Sequence, residues 1–445
     1  MKRYPCSGCS LLCDDIIIKS DGLFIDKVIG ACLKGKERFD QVSAQNRITS
    51  PMIRKNNELI NASWEEALAK TVEIIKNSSA PLLYGFSNVT CEAQRAGMDL
   101  AREINGFIDS NASICQSCEI YLWKKELYLK GEELFPQGIN ITTITEIINK
   151  VDLIILWGAN PAETIPRLLN KVLFSRGKFR MTGREIKTLV IIDPVKTASF
   201  RVMGVRDLAL IIEPDKDIEL IQMLKEECCS ADSIPSGGVA GIDKNDLKRL
   251  LLHLTGAENG VIILGQGVIQ PHADYDFIEE LLDLLQLINT RQVKGRISLL
   301  LLGGHFNMAG FDHVALSSYG VSGKLQFESK KLVKSEDTII SKINNENFDC
   351  SIIVGTDPIS HLPHSLSSKL AKKPLILIDN HNSATSRLAD VVLPTAITGI
   401  ESSGLAYRID QVPVELKKIL NPPNNIPSDE ELLNQLITKL NGGAK

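Results

Sequence analysis

Seven short runs rich in isoleucine, leucine and valine, at 152–157, 188–192, 208–212, 260–264, 298–302, 349–354 and 374–378, carry no polar alternation. Strands buried on both faces of a parallel sheet have this pattern, whereas a half-exposed strand alternates apolar and polar positions. An eighth run, 81–85, ends in glycine. Stretches of helical period separate the runs. Asn61-Ala62-Ser63-Trp64-Glu65-Glu66 reads as a helix start with Ser63 as N-cap, and the turns behind it reach Lys76. A second helix is predicted over 90–104, and a last one over 427–441, capped by Ser428 with Asp429, Glu430 and Glu431 in its first turn. Residues 105–121 lose all periodicity and read as a loop opening into the next helix. Strands alternating with helices in this way predict an α/β, doubly wound parallel fold.

Two segments repeat each other. Val151 to Pro161 is a strand ending in Gly158-Ala159-Asn160-Pro161, followed by a helical stretch and a second strand ending in Asp193, with Thr197-Ala198-Ser199 behind it. Phe348 to Pro358 follows the same plan through Gly355-Thr356-Asp357-Pro358, then Asp379, then Ser383-Ala384-Thr385. This is the chemistry of nucleotide binding. Gly158 or Gly355 lets the backbone approach a phosphate, Asn160 or Asp357 takes a ribose- or base-type hydrogen bond, and Pro161 or Pro358 opens a helix whose N-terminus favours the anion. The competing reading is that the proline turn merely leads a strand into a helix. Another glycine turn, Gly265-Gln266-Gly267, follows the run at 260–264, and Gly303-Gly304-His305-Phe306-Asn307 follows the run at 298–302. Polar groups at a strand's carboxyl end face the ligand crevice of an open sheet; the alternative for His305 is a satisfied core histidine.

Four cysteines, Cys6, Cys9, Cys13 and Cys32, fall within the first 32 residues in the order C-x2-C-x3-C-x18-C. Apolar runs at 16–18 and 23–29 flank Asp21-Gly22, a hairpin signal that would fold Cys32 back to the first three. Three close thiols plus a distant one suit a [4Fe–4S] cluster better than the paired cysteines of a zinc site; zinc, free thiols and disulfides are the alternatives. A unit as small as residues 1–58 needs such a staple.

Composition narrows the function classes. The chain has 445 residues, 44% of them hydrophobic, and a net charge of −4, so a globular protein of several domains is expected and nucleic acid is not an expected partner. No apolar run approaches the roughly 20 residues that span a bilayer. Met1-Lys2-Arg3-Tyr4-Pro5 has no apolar stretch behind it, so no signal peptide is read, and clustered cysteines then fit the cytoplasm. Cys91, Cys115, Cys118, Cys228, Cys229 and Cys350 read for the most part as ordinary thiols.

A cysteine-bound N-terminus followed by two matched nucleotide-type halves resembles the catalytic subunits of the molybdopterin oxidoreductases. Within that group, residues 6–16, 156–161, 193–197, 304–311 and 399–408 are similar to the formylmethanofuran dehydrogenase B subunits, and the resemblance runs from about residue 5 to residue 420. It implies a [4Fe–4S] cluster on the cysteine quartet and two molybdopterin guanine dinucleotides chelating tungsten or molybdenum. The dinucleotides would be held by Gly158, Asn160, Pro161, Asp193, Thr197, Gly265, Gly267, Gly304, Asn307, Gly355, Asp357, Asp379 and Arg408. Cys115 aligns with the family's metal ligand, Cys118 is an alternative, and His305 would stand in the pocket as a catalytic group. The implied domains are 1–58 for the cluster, 59–128 with 255–425 for one dinucleotide, an inserted 129–254 for the other, and a C-terminal helix at 426–445. The larger relatives' C-terminal β-barrel is missing, so a small barrel subunit should supply it, together with amidohydrolase-like, amidotransferase-like and ferredoxin-type subunits. The implied reaction is reduction of carbon dioxide to formate, or its reverse, with formate condensed onto methanofuran by a partner. Two positions depart from the family: Gln116 replaces the histidine after the ligand cysteine, and Gly303 stands where an arginine belongs. A non-redox structural subunit of a formyltransferase/hydrolase complex is the second function the resemblance allows.

Overall fold

The computed structural model of the chain describes residues 2–115, 141–178, 183–229, 234–269, 276–291 and 295–442. It forms two compact units. The first comprises Met1–Ile114, His305–Arg408 and Pro413–Lys445; the second comprises Cys115–Gly304 and Ile409–Val412. All eight apolar runs are strands: Pro81–Gly85, Leu153–Trp157, Thr188–Asp193, Leu208–Ile211, Asn259–Leu264, Arg296–Leu301, Cys350–Val354 and Leu375–Ile378. Among the described residues, no helix is long and apolar enough to cross a membrane.

The first unit is built on a nine-stranded sheet. Its parallel centre runs in the order Phe107–Ser110, Pro81–Gly85, Cys350–Val354, Leu375–Ile378, Val391–Leu393, with an antiparallel hairpin at each edge. The pleat explains the unbroken apolar runs. Leu83, Ile352, Val354, Ile376 and Ile378 join one core with helices Trp64–Lys76, Cys91–Glu103, Met308–Tyr319 and Asp429–Leu440. Their neighbours Leu82, Tyr84, Ile353, Leu375 and Leu377 join the other core, with Ile339, Ile343, Leu366 and Leu370. A strand that must satisfy two cores has no solvent face on which to place polar residues. The predicted caps are present: the Ser63 side chain accepts from Glu66 N at 3.1 Å, and Ser428 and Glu431 form a capping box. Phe107–Ser110 was legible only as loop, because two of its four residues are Asp109 and Ser110; pairing with Pro81–Gly85 makes it a strand.

The second unit holds a five-stranded, wholly parallel sheet in the order Leu208–Ile211, Thr188–Asp193, Leu153–Trp157, Asn259–Leu264, Arg296–Leu301. Pairing of Gly260 with Leu153, and of Ile297 with Gly260, places the strands after residue 255 in this sheet. The domain boundaries expected at 128/129 and 254/255 are therefore corrected to 114/115 and 304/305. A strand apolar on both faces does not say which sheet it joins; the hydrogen-bond register does. Residues 1–58 and 426–445 are not separate bodies either. Both lie within the first unit, where Ile53, Leu432, Leu433 and Leu436 share one core.

In each sheet the strand order reverses once. The reversal falls between Pro81–Gly85 and Cys350–Val354 in the first unit, and between Leu153–Trp157 and Asn259–Leu264 in the second. Open α/β sheets bind ligands outside the carboxyl ends of the strands at such points.

Candidate functional site at the cysteine quartet and the strand ends

The N-terminal hairpin forms as expected. Ile16–Ser20 pairs antiparallel with Ile25–Ile29, and the Asp21 carboxylate accepts from the backbone N–H groups of Leu23 and Phe24, both at 2.8 Å. The three-thiol loop is closed by Cys6 N donating to Cys13 O at 2.9 Å and Leu12 N to Cys9 O at 3.1 Å. Cys32 is the N-cap of helix Leu33–Asp40, and two glycines let that helix approach the loop. A Cβ on Gly35 would stand 3.1 Å from Cys6 Sγ, and one on Gly8 would stand 3.3 Å from Gly35 Cα. Cys6, Cys9 and Cys13 are buried. Burial pushes the Cys6 thiol up to about 12, and Cys9, Cys13 and Cys32 each repel its charged form. Burial likewise pushes Cys9 up to about 11. The four thiols thus share one electrostatic neighbourhood. Among the described residues, no three His, Cys, Asp or Glu side chains stand close enough to hold a single metal ion.

A cavity of about 340 Å³ opens beside the quartet. Ser7, Gly8, Lys34 and Arg38 form its wall on the cysteine side. Asn88, Gly355, Asp379, His381 and Thr395, from the carboxyl ends of the parallel strands, form the opposite wall. The cavity therefore lies at the first unit's strand-order reversal. Asp379 accepts from Asn380 N at 2.6 Å; burial pushes its carboxyl up to about 7, and Asp429 adds repulsion. Behind the wall, Arg47 and Glu401 form a buried ion pair at 2.6 Å, with the Arg47 side chain 5% and the Glu401 side chain 3% exposed. Arg47 also donates to the carbonyls of Asn380 and Thr395, each at 3.2 Å, so it ties the strand-end loops together. Sequence reading gave Arg38, Arg47 and Glu401 no part in the site, because Thr398 and Glu401 lie more than 350 residues from the arginines that bind them.

The two copies of the internal repeat share their turn geometry. Gly158 and Gly355 have φ of +54° and +61°. Their N–H groups donate to Ile192 O at 2.9 Å and to Ile378 O at 3.0 Å. Asn160 and Asp357 have φ, ψ of −118°, 69° and −119°, 73°. Asn160 Oδ1 accepts from Ser199 Oγ at 2.8 Å; Asp357 Oδ1 accepts from Thr385 Oγ1 at 2.5 Å. Burial opposes the charge on Asp357, but hydrogen bonds from Ser360, Thr385 and Ala384 outweigh it and hold its carboxyl below the usual range. Both side chains thus fasten the turn to the polar loop after the next strand, a task their expected ligand role did not include. Pro161 and Pro358 open helices of only four residues, Pro161–Thr164 and Pro358–His361, so the expected helix dipole is weak.

The glycines are not equivalent. A Cβ on Gly158 would collide with Val268 Cγ2 and lie 2.7 Å from Val268 N. One on Gly265 would collide with the Gly158 carbonyl oxygen, and one on Gly267 would lie 2.9 Å from that oxygen. In the second unit the chain's own backbone makes the close approach that was expected of a phosphate. At Gly355 the nearest atom to a Cβ would be Val89 Cγ1, at 3.5 Å, and that glycine lines the cavity. Gly304 is exposed, with nothing within 4 Å of its Cβ position.

The remaining expected residues divide. Asn307 is fully buried; its Nδ2 donates to Val89 O and its Oδ1 accepts from Tyr407 N, both at 2.8 Å. It is a fastener between loops of the first unit rather than the ligand contact expected from its place at a strand end. The Asp193 carboxylate accepts from Val195 N at 3.0 Å, and burial pushes its carboxyl up. Thr197 Oγ1 is buried with no hydrogen-bond partner among the described residues. So is His305 Nδ1, and that does not match a satisfied core histidine; burial pushes His305 down to about 4, with His361 and Lys34 adding repulsion. Arg408 is half-buried beyond strand Gly404–Tyr407. The Cys115 backbone ends helix Ala112–Cys115, which follows strand Phe107–Ser110, and the Asp109 carboxylate accepts from Ser110 N at 2.8 Å and from Ser113 Oγ. The Cys115 side chain, Gln116 and Cys118 lie outside the described residues.

Comparison with known proteins gives this geometry a relationship. The family model for molybdopterin oxidoreductases matches residues 47–439. The B subunit of the tungsten-containing formylmethanofuran dehydrogenase 2 of Methanocaldococcus jannaschii is 29% identical over 99% of this chain and 98% of its own length. Its counterpart from Methanococcus maripaludis is 28% identical with the same coverage. A chain of the formyltransferase/hydrolase complex of Methylorubrum extorquens shares the fold, with a TM-score of 0.65, 17% identity and coverage of 88% of this chain and 99% of that one. Acetylene hydratase of Pelobacter acetylenicus does so with a TM-score of 0.64 and 10% identity, over 100% of this chain and 69% of that one. A family match that takes in both sheets, the duplicated strand-turn module and the strand-end wall of the cavity leaves one assignment: the chain belongs to the molybdopterin oxidoreductase family.

Proposed function

We propose that the chain is the B subunit of a formylmethanofuran dehydrogenase complex, which interconverts carbon dioxide and formate. The observation that carries this reading is the gathering of four thiols in one loop and helix start whose neighbouring residues Ser7, Gly8, Lys34 and Arg38 line a strand-end cavity. The near end-to-end similarity to two tungsten-containing B subunits supports it. In this reading Cys6, Cys9, Cys13 and Cys32 hold a [4Fe–4S] cluster. A tetrahedral zinc ion with bonds of about 2.3 Å would draw its sulfurs to about 3.8 Å of one another. Three closely spaced thiols with a distant fourth favour the larger object over the paired cysteines of a zinc site. The donor set fits it: soft thiols, buried, with room held open by Gly8 and Gly35.

Two molybdopterin guanine dinucleotides with tungsten or molybdenum would occupy the strand ends, one per unit. The first unit offers Gly355, Asp379 and Arg408. The second offers Thr197, whose buried hydroxyl has no partner among the described residues, beside Asp193. Cys115 would ligate the metal. When bound, the metal–pterin group supplies the two-electron chemistry and the cluster supplies one-electron transfer. The chain's own residues bind and orient. His305 would present a neutral imidazole whose Nδ1 has no hydrogen-bond partner among the described residues, able to exchange a proton. Partner subunits of the barrel, amidohydrolase-like, amidotransferase-like and ferredoxin-type kinds complete this reading. Gln116 and Gly303 favour a second reading, a non-redox subunit of a formyltransferase/hydrolase complex. Metal content of the anaerobically purified complex separates the two: tungsten or molybdenum alongside iron supports the first, and neither metal supports the second.

A further inference from the structure

We infer that Gln94 is a positioning residue for His305: its buried amide ties the loop His305-Phe306-Asn307 to the turn Phe86-Ser87 and so fixes the imidazole. The inference rests on the reading above in which His305 exchanges a proton. Gln94 belongs to helix Cys91–Glu103 and is 0% exposed. Its Nε2 donates to Phe86 O and to Asn307 O, both at 2.8 Å. Two carbonyl oxygens that converge on one point need a group with two hydrogens, and a primary amide supplies them without burying a charge. Gln94 Oε1 is buried with no hydrogen-bond partner among the described residues. Packing alone would be served better by a hydrocarbon of the same shape, because a buried oxygen without a partner is costly.

The turn is one that needs holding. Phe86 is fully buried at φ +62°, a left-handed conformation rare for a bulky residue. Its ring fills the space in which a Cβ on Gly97 would stand, three residues after Gln94 on the same helix. Such a backbone persists only where its surroundings over-determine it. Asn307 N also donates to Ser87 O at 3.0 Å, and Phe306 is seated in a core with Leu12, Ala406 and Leu416. Both residues after His305 are therefore pinned, and the next two residues after the turn, Asn88 and Val89, line the cavity. The charged groups that face His305 are His361 and Lys34, and Lys34 lines the same cavity. Without the amide, the two carbonyls lose their donor in a region closed to water. They regain one by moving towards solvent, and His305 moves with them. An imidazole released to water titrates nearer its ordinary value.

The test is imidazole C2 hydrogen–deuterium exchange, read by mass spectrometry on the peptide that carries His305. It is run on the anaerobically purified full-length chain as wild type, Gln94→Met and Leu68→Ala, the last a change in the same core as the Gln94 helix. The wild-type rate should be level from about pH 5 to about pH 8, as for an imidazole held neutral. In Gln94→Met it should rise at least about tenfold between about pH 5 and about pH 7, the titration of an imidazole returned to about 6.5. Leu68→Ala should stay level. A level rate in folded Gln94→Met overturns the inference, and so does a wild-type rate that already rises over that range. An equal rise in Leu68→Ala overturns it too, because general loosening would then suffice. Should Gln94→Met not fold, Gln94→Asn, which withdraws the same two hydrogens by one methylene, carries the same outcomes. Full activity of the loaded complex with His305→Gln overturns the proton-exchange reading instead, and leaves the exchange result to decide whether Gln94 holds the loop.

Discussion

Replacing Gly158 by alanine, and separately Gly355 by alanine, divides two residues that the sequence makes equivalent. Both follow a parallel strand, and both have positive φ, +54° and +61°. An alanine held in that left-handed region costs about 1–2 kcal/mol at either site. At Gly355 little else is added, because the new methyl would touch nothing nearer than 3.5 Å. At Gly158 the methyl would enter Val268 Cγ2 and approach its backbone nitrogen to 2.7 Å, in a turn already locked by Gly267 N donating to Gly158 O at 3.0 Å. Overpacking of that kind adds about 1–3 kcal/mol. At about 1.4 kcal/mol per tenfold, the excess corresponds to roughly 5- to 150-fold more opening in the second unit than Gly355→Ala produces in the first. Native-state hydrogen exchange reads each unit separately, which a single melting curve of a chain with two units does not. Exchange in Leu153–Trp157 should accelerate in Gly158→Ala by that margin over exchange in Cys350–Val354 in Gly355→Ala. Equal acceleration in the two variants would refute the packing argument and return Gly158 to the same ligand-cradle role as Gly355.

Two further predictions concern the cavity wall. Arg47→Met strands the Glu401 carboxylate in a buried site and should cost about 3–5 kcal/mol in chemical denaturation, whereas the double variant Arg47→Met/Glu401→Met should recover most of that loss. Burial raises the Asp379 carboxyl from its ordinary 3.8 to about 7, so the unfolded chain releases this proton first as pH rises. Below pH 4 the group contributes no penalty; between about pH 4 and pH 7 its contribution to stability falls. Asp379→Asn removes that loss, so its melting temperature should gain on wild type across this window and hold the gain above it. A constant difference from pH 4 to pH 8 would contradict the assignment.

How much of this was legible in the sequence depended on whether a residue's task is local. Strands such as Cys350–Val354 and Leu375–Ile378 were legible because a segment buried on two faces leaves no polar periodicity. Ser63 and Ser428 were legible because a cap and its partner are three residues apart. Sheet membership was not: the runs at 260–264 and 298–302 look like those of the first unit, and only pairing with Leu153–Trp157 assigns them to the second. The same limit applies to the site. Gly158 and Gly355 sit in matched motifs, yet one is filled by Val268 and the other faces a cavity. Asn307 stands at a strand end as a ligand group would, but its amide is consumed by Val89 and Tyr407. Arg38 and Arg47 carry no motif at all, and their importance comes from Thr398 and Glu401, more than 350 residues away.

The central claim is that the quartet and the strand ends together serve a redox metal, and elemental analysis of the anaerobically purified complex tests it most directly. The account predicts one tungsten or molybdenum per chain, with iron, and a loss of about four irons per chain when Cys6 and Cys9 are both replaced by serine. Iron without tungsten or molybdenum, zinc in place of iron, or no metal at all would contradict it.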